Sequence, residues 1–254
     1  MLMSKERLDK VLANNGVGTR KTVRPLITRG RVCVNGETVR SPDAKVDASC
    51  DSISVDGEKI KIRTTICLMM NKPSGYICST KEGCFETVFD LLPEDLPRSY
   101  LDGDLGIVGR LDADTEGLLL LTSSGELNHK LCSPKYHVPK TYFVRLSFSV
   151  SKDDSTRYQK KLQEGIFIAP CDGEDGWNCL PATIQWTDLN SPKPECLITV
   201  HEGKYHEIKR MFSALGNTVE YLKRVKIGSL ALDESLAPGA VRELSPEDLK
   251  ALFE

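Results

Sequence analysis

The sequence predicts an α+β protein: a small N-terminal helical module followed by a larger domain built on a mainly antiparallel, mixed sheet. Three observations predict it. Apolar residues recur at helical spacing only in short stretches, the first within residues 5–30. Beyond residue 64, short β-type runs and helices mix without the regular strand–helix–strand rhythm of a parallel fold. And 254 residues, 40% hydrophobic and 28% charged, suffice for a small domain plus a medium one, each with its own core.

The N-terminal module reads as follows. Leu8, Val11 and Leu12 form one apolar stripe, and Asn14-Asn15-Gly16-Val17-Gly18 stops that helix. Thr19 suits the N-cap of a second helix over Arg20–Thr28, with Val23, Leu26 and Ile27 inward. Pro25 is expected only in or near a first turn. Arg20, Lys21 and Arg24 share one side of this helix, and Arg29 and Arg31 close its end. Val32–Val34 and Glu37–Arg40 flank the turn signal Asn35-Gly36, and Ile53–Val55 before Asp56-Gly57 repeats the pattern. The expected division is 1–60 for this module and 65–254 for the second domain, joined by a charged linker at Lys59–Arg63.

In the second domain, Ile66–Met70 reads as a buried strand and Gly117–Thr122 as another. Ser123-Ser124-Gly125-Glu126 has the capping-box pattern, which places a helix over Gly125–Cys132. Tyr142, Val144, Leu146 and Phe148 alternate as in a half-buried strand, and Cys196–Val200 is a further strand. Glu207–Leu215 is a helix ended by Gly216-Asn217, and residues 171–180 read as a loop tip.

Composition excludes several classes. Collagen, long coiled coils and wholesale disorder do not fit it. No apolar run approaches the ~20 residues of a membrane span, and Met1–Arg7 has no apolar leader core, which predicts a cytoplasmic location with no membrane partner. The nine cysteines (Cys33, Cys50, Cys67, Cys78, Cys84, Cys132, Cys171, Cys179, Cys196) are odd in number and never spaced C-x-x-C, which argues for reduced thiols and against a zinc cluster. Net charge is −2, but residues 1–40 hold nine basic against three acidic residues, +6, leaving −8 for the remainder. A basic module on a mildly acidic body points to a polyanion reader, although a solvated surface would use the same residues.

Three constellations carry possible chemistry. Gly109-Arg110-Leu111-Asp112-Ala113-Asp114-Thr115-Glu116-Gly117 sets carboxylates and an arginine directly before an apolar strand. As a calcium loop it fails, because the twelfth position from Asp112 is Ser123. As an aspartyl-phosphate motif it fails because Thr115 is adjacent to Asp114. An acidic surface turn stays open. His201–Phe212 gathers cations and an aromatic at a strand-to-helix junction where phosphate could bind, an ordinary amphipathic helix being the alternative. Lys140-Thr141-Tyr142 opens a strand with an aromatic that could stack on a base or fill a core. Neither a phosphate-binding glycine loop nor a hydrolase triad signature is present.

Taken together, these strings resemble a known family. Gly109–Thr122 resembles the catalytic motif of the RsuA-type ribosomal RNA pseudouridine synthases, Asn71–Tyr76 their first motif, and Lys140–Tyr142 and Gly203–Phe212 their later ones. Arg7–Lys10 through Val34–Glu37 is similar to the S4 RNA-binding domain, with its helix–helix–strand αL-type motif. The resemblance implies that Asp112 is the essential carboxylate, Tyr142 the aromatic stacking on the target base, and Lys209 the cation paired with Asp112. It implies RNA contacts from Arg7, Lys10, Arg20, Lys21, Arg24, Arg29 and Arg31 in the S4 module and from Arg110, Lys204 and Arg210 in the second domain. Asp114, Thr115 and Glu116 are expected to shape the loop. Glu207 departs from the glutamine that many members carry, which puts an RNA contact there in doubt.

The implied reaction is isomerisation of a uridine in ribosomal RNA, or in a ribosomal assembly intermediate, by a monomer needing neither cofactor nor metal. Lys204-Tyr205-His206 resembles the small-subunit (16S) branch. A large-subunit (23S) synthase and a non-catalytic RNA-binding assembly factor are the alternatives. A metal phosphohydrolase is weakened by the spacings above.

Overall fold

The computed structural model describes residues 5–48, 50–60, 62, 66–80, 84–93, 96, 105–170 and 175–254. They separate into two compact units, one built on the described residues before Cys67 with those of Pro93–Gly106 and Thr122–Ser124, and one on Cys67–Leu92, Ile107–Leu121 and Gly125–Glu254.

The smaller unit runs β1 (Glu6–Arg7), α1 (Leu8–Asn14), α2 (Arg20–Thr28), β2 (Val32–Val34), β3 (Glu37–Thr38), β4 (Lys45–Val46), β5 (Ile53–Val55) and β6 (Glu58–Lys59). Leu8, Val11, Leu12, Val23, Ile27, Val32, Val46 and Ile53 form its core. The Thr19 hydroxyl accepts from Thr22 N at 3.2 Å and so starts α2 where the sequence places it. Asn35 and Gly36 (φ +53° and +86°), and Asp56 and Gly57 (φ +53° and +87°), take the paired left-handed conformations that a two-residue hairpin turn requires. The four strands run β3-β2-β5-β6, all antiparallel. Pro25 departs from expectation: it is the sixth residue of α2, well past the first turn. It is exposed, so the carbonyl it leaves without an N–H partner can be hydrated. Of the expected linker, Lys59 belongs to β6, and residues 61 and 63 lie outside the described residues.

The larger unit runs β7 (Cys67–Lys72), β8 (Gly106–Val108), β9 (Glu116–Thr122), α3 (Gly125–Cys132), β10 (Lys140–Leu146), α4 (Lys152–Glu164), β11 (Phe167–Ile168), β12 (Trp177–Asn178), β13 (Thr183–Asp188), β14 (Glu195–Val200), α5 (Glu207–Ala214), β15 (Val219–Ile227), β16 (Leu230–Ala231), β17 (Val241–Glu243) and α6 (Pro246–Ala251). Among the described residues one sheet has the order β13-β14-β10-β15-β9-β7-β17, with β16 on β15 and β8 on β9. β10 is antiparallel to β14 and to β15, whereas β9 and β15 run parallel. The mainly antiparallel expectation is met. Central β9 is buried on both faces from Gly117 to Thr122, the reason it reads as an unbroken apolar run. Leu118, Leu120, Met69, Val108, Ile227 and Leu230 pack together on one side.

Two readings are corrected. β10 ends at Leu146, and Phe148 is 60% exposed, so the alternation stops one residue pair early. The Phe148 backbone leaves the ladder to bond the Asn217 side chain, donating at 3.2 Å and accepting at 2.9 Å. The 171–180 stretch contains β12, which pairs antiparallel with β11, while residues 171–174 lie outside the described residues. Among the described residues no helix is long and apolar enough to cross a membrane, and no disulfide joins the described cysteines.

Candidate active site

The segment from Gly109 to Glu116 enters β9 and is fastened almost entirely through its backbone. Lys72, fully buried at the end of β7, donates from Nζ to the carbonyls of Pro73 (3.0 Å), Asp112 (3.1 Å), Ala113 (3.1 Å) and Thr115 (2.9 Å). Burial pulls the Lys72 ammonium below its ordinary pKa. Gly75 N donates to Ala113 O at 2.8 Å and Thr115 N to Asp112 O at 3.1 Å. Thiols hold the near end: Gly109 N donates to Cys132 Sγ at 3.1 Å and Leu111 N to Cys78 Sγ at 3.4 Å.

Arg224, from β15 and 1% exposed, crosses beneath. It donates to Leu118 O (2.7 Å), Gly109 O (2.8 Å) and the Tyr142 hydroxyl (3.4 Å). β15 and β9 approach closely at Gly117 (φ +99°), where a Cβ would fall 2.3 Å from the Arg224 carbonyl oxygen. Tyr142 faces inward on β10 with Lys140, Val144 and Leu146. A register shift against β15 falls between Thr141 and Tyr142, and such bulges re-aim side chains beside active sites. Lys140 Nζ donates to Val138 O at 3.1 Å, and burial followed by Arg224 lowers its pKa.

Helix α5 brings the third side chain. Lys209 Nζ donates to Asp112 Oδ2 at 3.0 Å and to Asp114 Oδ1 at 2.6 Å. Partial burial works against the ammonium, but the Asp114 and Asp112 carboxylates outweigh it and raise its pKa. His206 Nε2 lies 3.5 Å from Asp112 Oδ1, and the His206 ring stacks on Tyr205 with centroids 3.8 Å apart. Asp112, Tyr142, Lys204, His206 and Arg110 share one cleft, and Lys209 lines its inner end. The Asp112 side chain is 29% exposed, so the acid sits at the cleft floor rather than in the core. A cleft of this make-up, with a carboxylate, an ammonium and a phenol ring at its base and cations at its rim, suits a flipped base attached to an anionic strand.

The sequence profile described as RNA pseudouridylate synthase matches residues 66–214. The chain belongs to the RNA pseudouridylate synthase family. In this synthase the S4 domain profile matches residues 6–53. An RNA pseudouridine synthase of Bacillus subtilis, YtzG, is 42% identical over 249 residues, 98% of each chain. Ribosomal small subunit pseudouridine synthase A of Vibrio vulnificus is 39% identical over 97% of this chain and 99% of its own. A pseudouridylate synthase crystal structure, 36% identical, superposes with a TM-score of 0.62 over 97% of this chain and 99% of that one.

The synthase thus brings Asp112, Tyr142, Lys209, Arg110 and Lys204 to one cleft. Arg210 is not among them. Its guanidinium donates to Ala169 O at 2.7 Å and lies 4.3 Å from the Trp177 ring centre, which ties α5 to the β11–β12 hairpin. In the S4 unit, Arg7 bonds the buried Asp9 at 3.0 Å, and Arg20 and Arg24 approach it at 3.5 Å. Lys10 pairs with Glu6 and Arg31 with Asp56. Lys21 and Arg29 are exposed, and among the described residues neither makes an ion pair. The sequence reading gave no role to Lys72, Arg224, Lys140 or His206. For Arg224 a signal existed: period-2 counting from the buried Leu222 turns it inward.

Proposed function

We propose that the chain converts a uridine of small-subunit (16S) ribosomal RNA to pseudouridine in the cytoplasm, with Asp112 as the reacting carboxylate, Tyr142 as the base platform and Lys209 as the paired cation. The observation that carries this is the Lys209–Asp112 pair, 3.0 Å long, in a cleft lined by Tyr142. The small-subunit assignment draws on relatives named for that activity and alike over nearly the whole chain.

The uridine leaves the stack at a cost of a few kcal/mol. The N1–C1′ bond breaks, the uracil turns, and a C5–C1′ bond forms; the proton lost from C5 is matched by the one gained at N1, so atoms and electrons balance. The Asp112 carboxylate either adds to the sugar or removes a ribose proton, and Lys209 keeps its oxygens aimed. The Tyr142 ring, held from behind by Arg224, supports the detached base. Lys204 and Arg110 at the rim would meet phosphate, and the exposed Arg20, Lys21, Arg24 and Arg29 of the S4 unit would add sequence-tolerant attraction.

The test is incubation of the protein with unmodified 16S ribosomal RNA, naked or in assembly intermediates, followed by mapping of carbodiimide-dependent reverse-transcription stops. Wild type gives one new stop. Asp112→Asn gives none while RNA affinity stays within about 3-fold, since the change removes a reacting group and no phosphate contact. Product from that variant would overturn the role of Asp112. Stops on 23S RNA alone would move the substrate to the large subunit.

A further inference from the structure

Glu207 opens α5 in the cleft wall and is 5% exposed, and Glu202, shortly before it, is 8% exposed. Their environments differ. Glu202 accepts from Leu180 N at 2.8 Å and pairs with Lys204 Nζ at 3.1 Å. Glu207 Oε2 receives only a long bond from Lys204 N at 3.4 Å, and its buried Oε1 has no donor. One oxygen of each acid and the Cys179 thiol lie within 4.8 Å of one another. Two buried carboxylates this close cannot both be charged without a large cost. A proton on Glu207, donated to Glu202, satisfies the orphaned oxygen and leaves the charge where the two donors already are.

The position matters because α5 has no side-chain cap. Its N-cap is His206, in the left-handed region at φ +50°. The helix start is instead closed by Glu207, whose N–H donates to Lys204 O at 3.2 Å and whose carboxyl reaches back to Lys204 N. His206 and Lys209, the two groups on Asp112, flank that residue.

We propose that Glu207 is a positioning residue that works as a neutral carboxylic acid: its proton, shared with Glu202, fixes the start of α5 and thereby holds His206 and Lys209 against Asp112. This rests on the roles proposed above for Asp112 and Lys209. The Lys204 ammonium favours the charged form of Glu207, but the cations near it are committed elsewhere. Lys204 is engaged by Glu202, Lys140 at the head of β10 is held by Val138 O, and burial pushes the Cys179 thiol up to about 12, leaving it neutral. Burial first, and Glu202 second, push Glu207 up to about 8. Cys179, Glu202 and Glu207 offer a thiol and two carboxylates to a divalent cation, but burial keeps the thiol protonated and the Lys204 ammonium already occupies Glu202, which disfavours a metal there.

The experiment compares wild type, Glu207→Gln and Glu207→Leu from pH 5 to 9.5 in single-turnover pseudouridine formation and in RNA-free thermal unfolding. Gln keeps a donor for Glu202 and cannot ionise. Relative to the Gln variant, the wild-type rate falls above pH 8, by roughly 30-fold at pH 9.5 as the neutral fraction shrinks, while the Leu variant is slow throughout. Because the folded form holds the proton more tightly than the unfolded chain, wild-type stability declines against Gln as pH rises from about 4.5 to about 8, then the gap levels off. Superimposable wild-type and Gln rate profiles would overturn the inference, as would stoichiometric zinc that is lost in Cys179→Ser. If no form makes product on any ribosomal RNA, the proposed reaction fails. The widening gap in unfolding temperature would still support the shared proton, and its absence would overturn it.

Discussion

Replacing Lys72 by Met tests how much of this synthase's activity depends on a fixed loop. Met matches the length of the lysine stem and removes only the ammonium. Four carbonyls, of Pro73, Asp112, Ala113 and Thr115, lose a donor at once. Leaving a buried acceptor unpaired costs about 1–3 kcal/mol each, so the gross loss is on the order of 4–12 kcal/mol. Against that, removing a fully buried ammonium recovers several kcal/mol of desolvation. The net expectation is a destabilisation of about 2–4 kcal/mol, read by urea unfolding. The kinetic effect is larger than stability alone implies. Asp112 is the residue whose carbonyl Lys72 holds, and a shift of about 1 Å at the reacting group costs roughly 100-fold. The assay is single-turnover tritium release from RNA carrying 5-tritiated uridine, at a temperature where the variant is fully folded. The rate should fall at least ~50-fold with RNA affinity within about 2-fold, because Lys72 does not line the cleft. A folded Met variant with the wild-type rate would refute the argument that the loop needs this anchor.

Further outcomes follow from the same contacts. Arg224→Lys cannot span Leu118 O, Gly109 O and the Tyr142 hydroxyl together; losing two charged hydrogen bonds should cost about 3 kcal/mol in unfolding and lower the catalytic rate more than the affinity for RNA. Gly117→Ala places a Cβ against the Arg224 carbonyl at a positive φ and should lower stability by at least ~2 kcal/mol in thermal melts. In the S4 unit, the Arg7 hydrogen bond holds Asp9 below the ordinary carboxylate pKa. That stability is present above about pH 4 and lost as pH falls through the lower folded value, so Asp9→Asn should flatten the acid limb of the stability curve. Changing both Lys21 and Arg29 to Ala should reduce the salt slope of RNA binding by about 1.5, leaving the single-turnover rate at saturating RNA unaltered.

The local elements were legible because their signals are local. The Thr19 cap, the Asn-Gly and Asp-Gly turns and the apolar run of Leu118–Leu121 each act within a few residues, and α2, both hairpins and β9 lie where those signals put them. α4 escaped notice because it buries only Ser155, Tyr158 and Leu162 among thirteen mostly charged residues, too thin a stripe to see. β15 does not stand out as a strand because its inward residue at the critical position is Arg224 rather than an apolar side chain.

Residue types and order determined the two-part organisation, the family resemblance and the candidate acid. Tertiary structure alone decided which charges are spent and which stay available. Lys209 reaches Asp112 across 97 positions, Lys72 disappears beneath a loop, and Arg210 turns to Trp177 although its neighbour in sequence faces the cleft. Pattern reading treats every lysine and arginine as a solvated cation. Burial breaks that equivalence, because a charge removed from water must find fixed partners, and those partners come from strands distant in the chain.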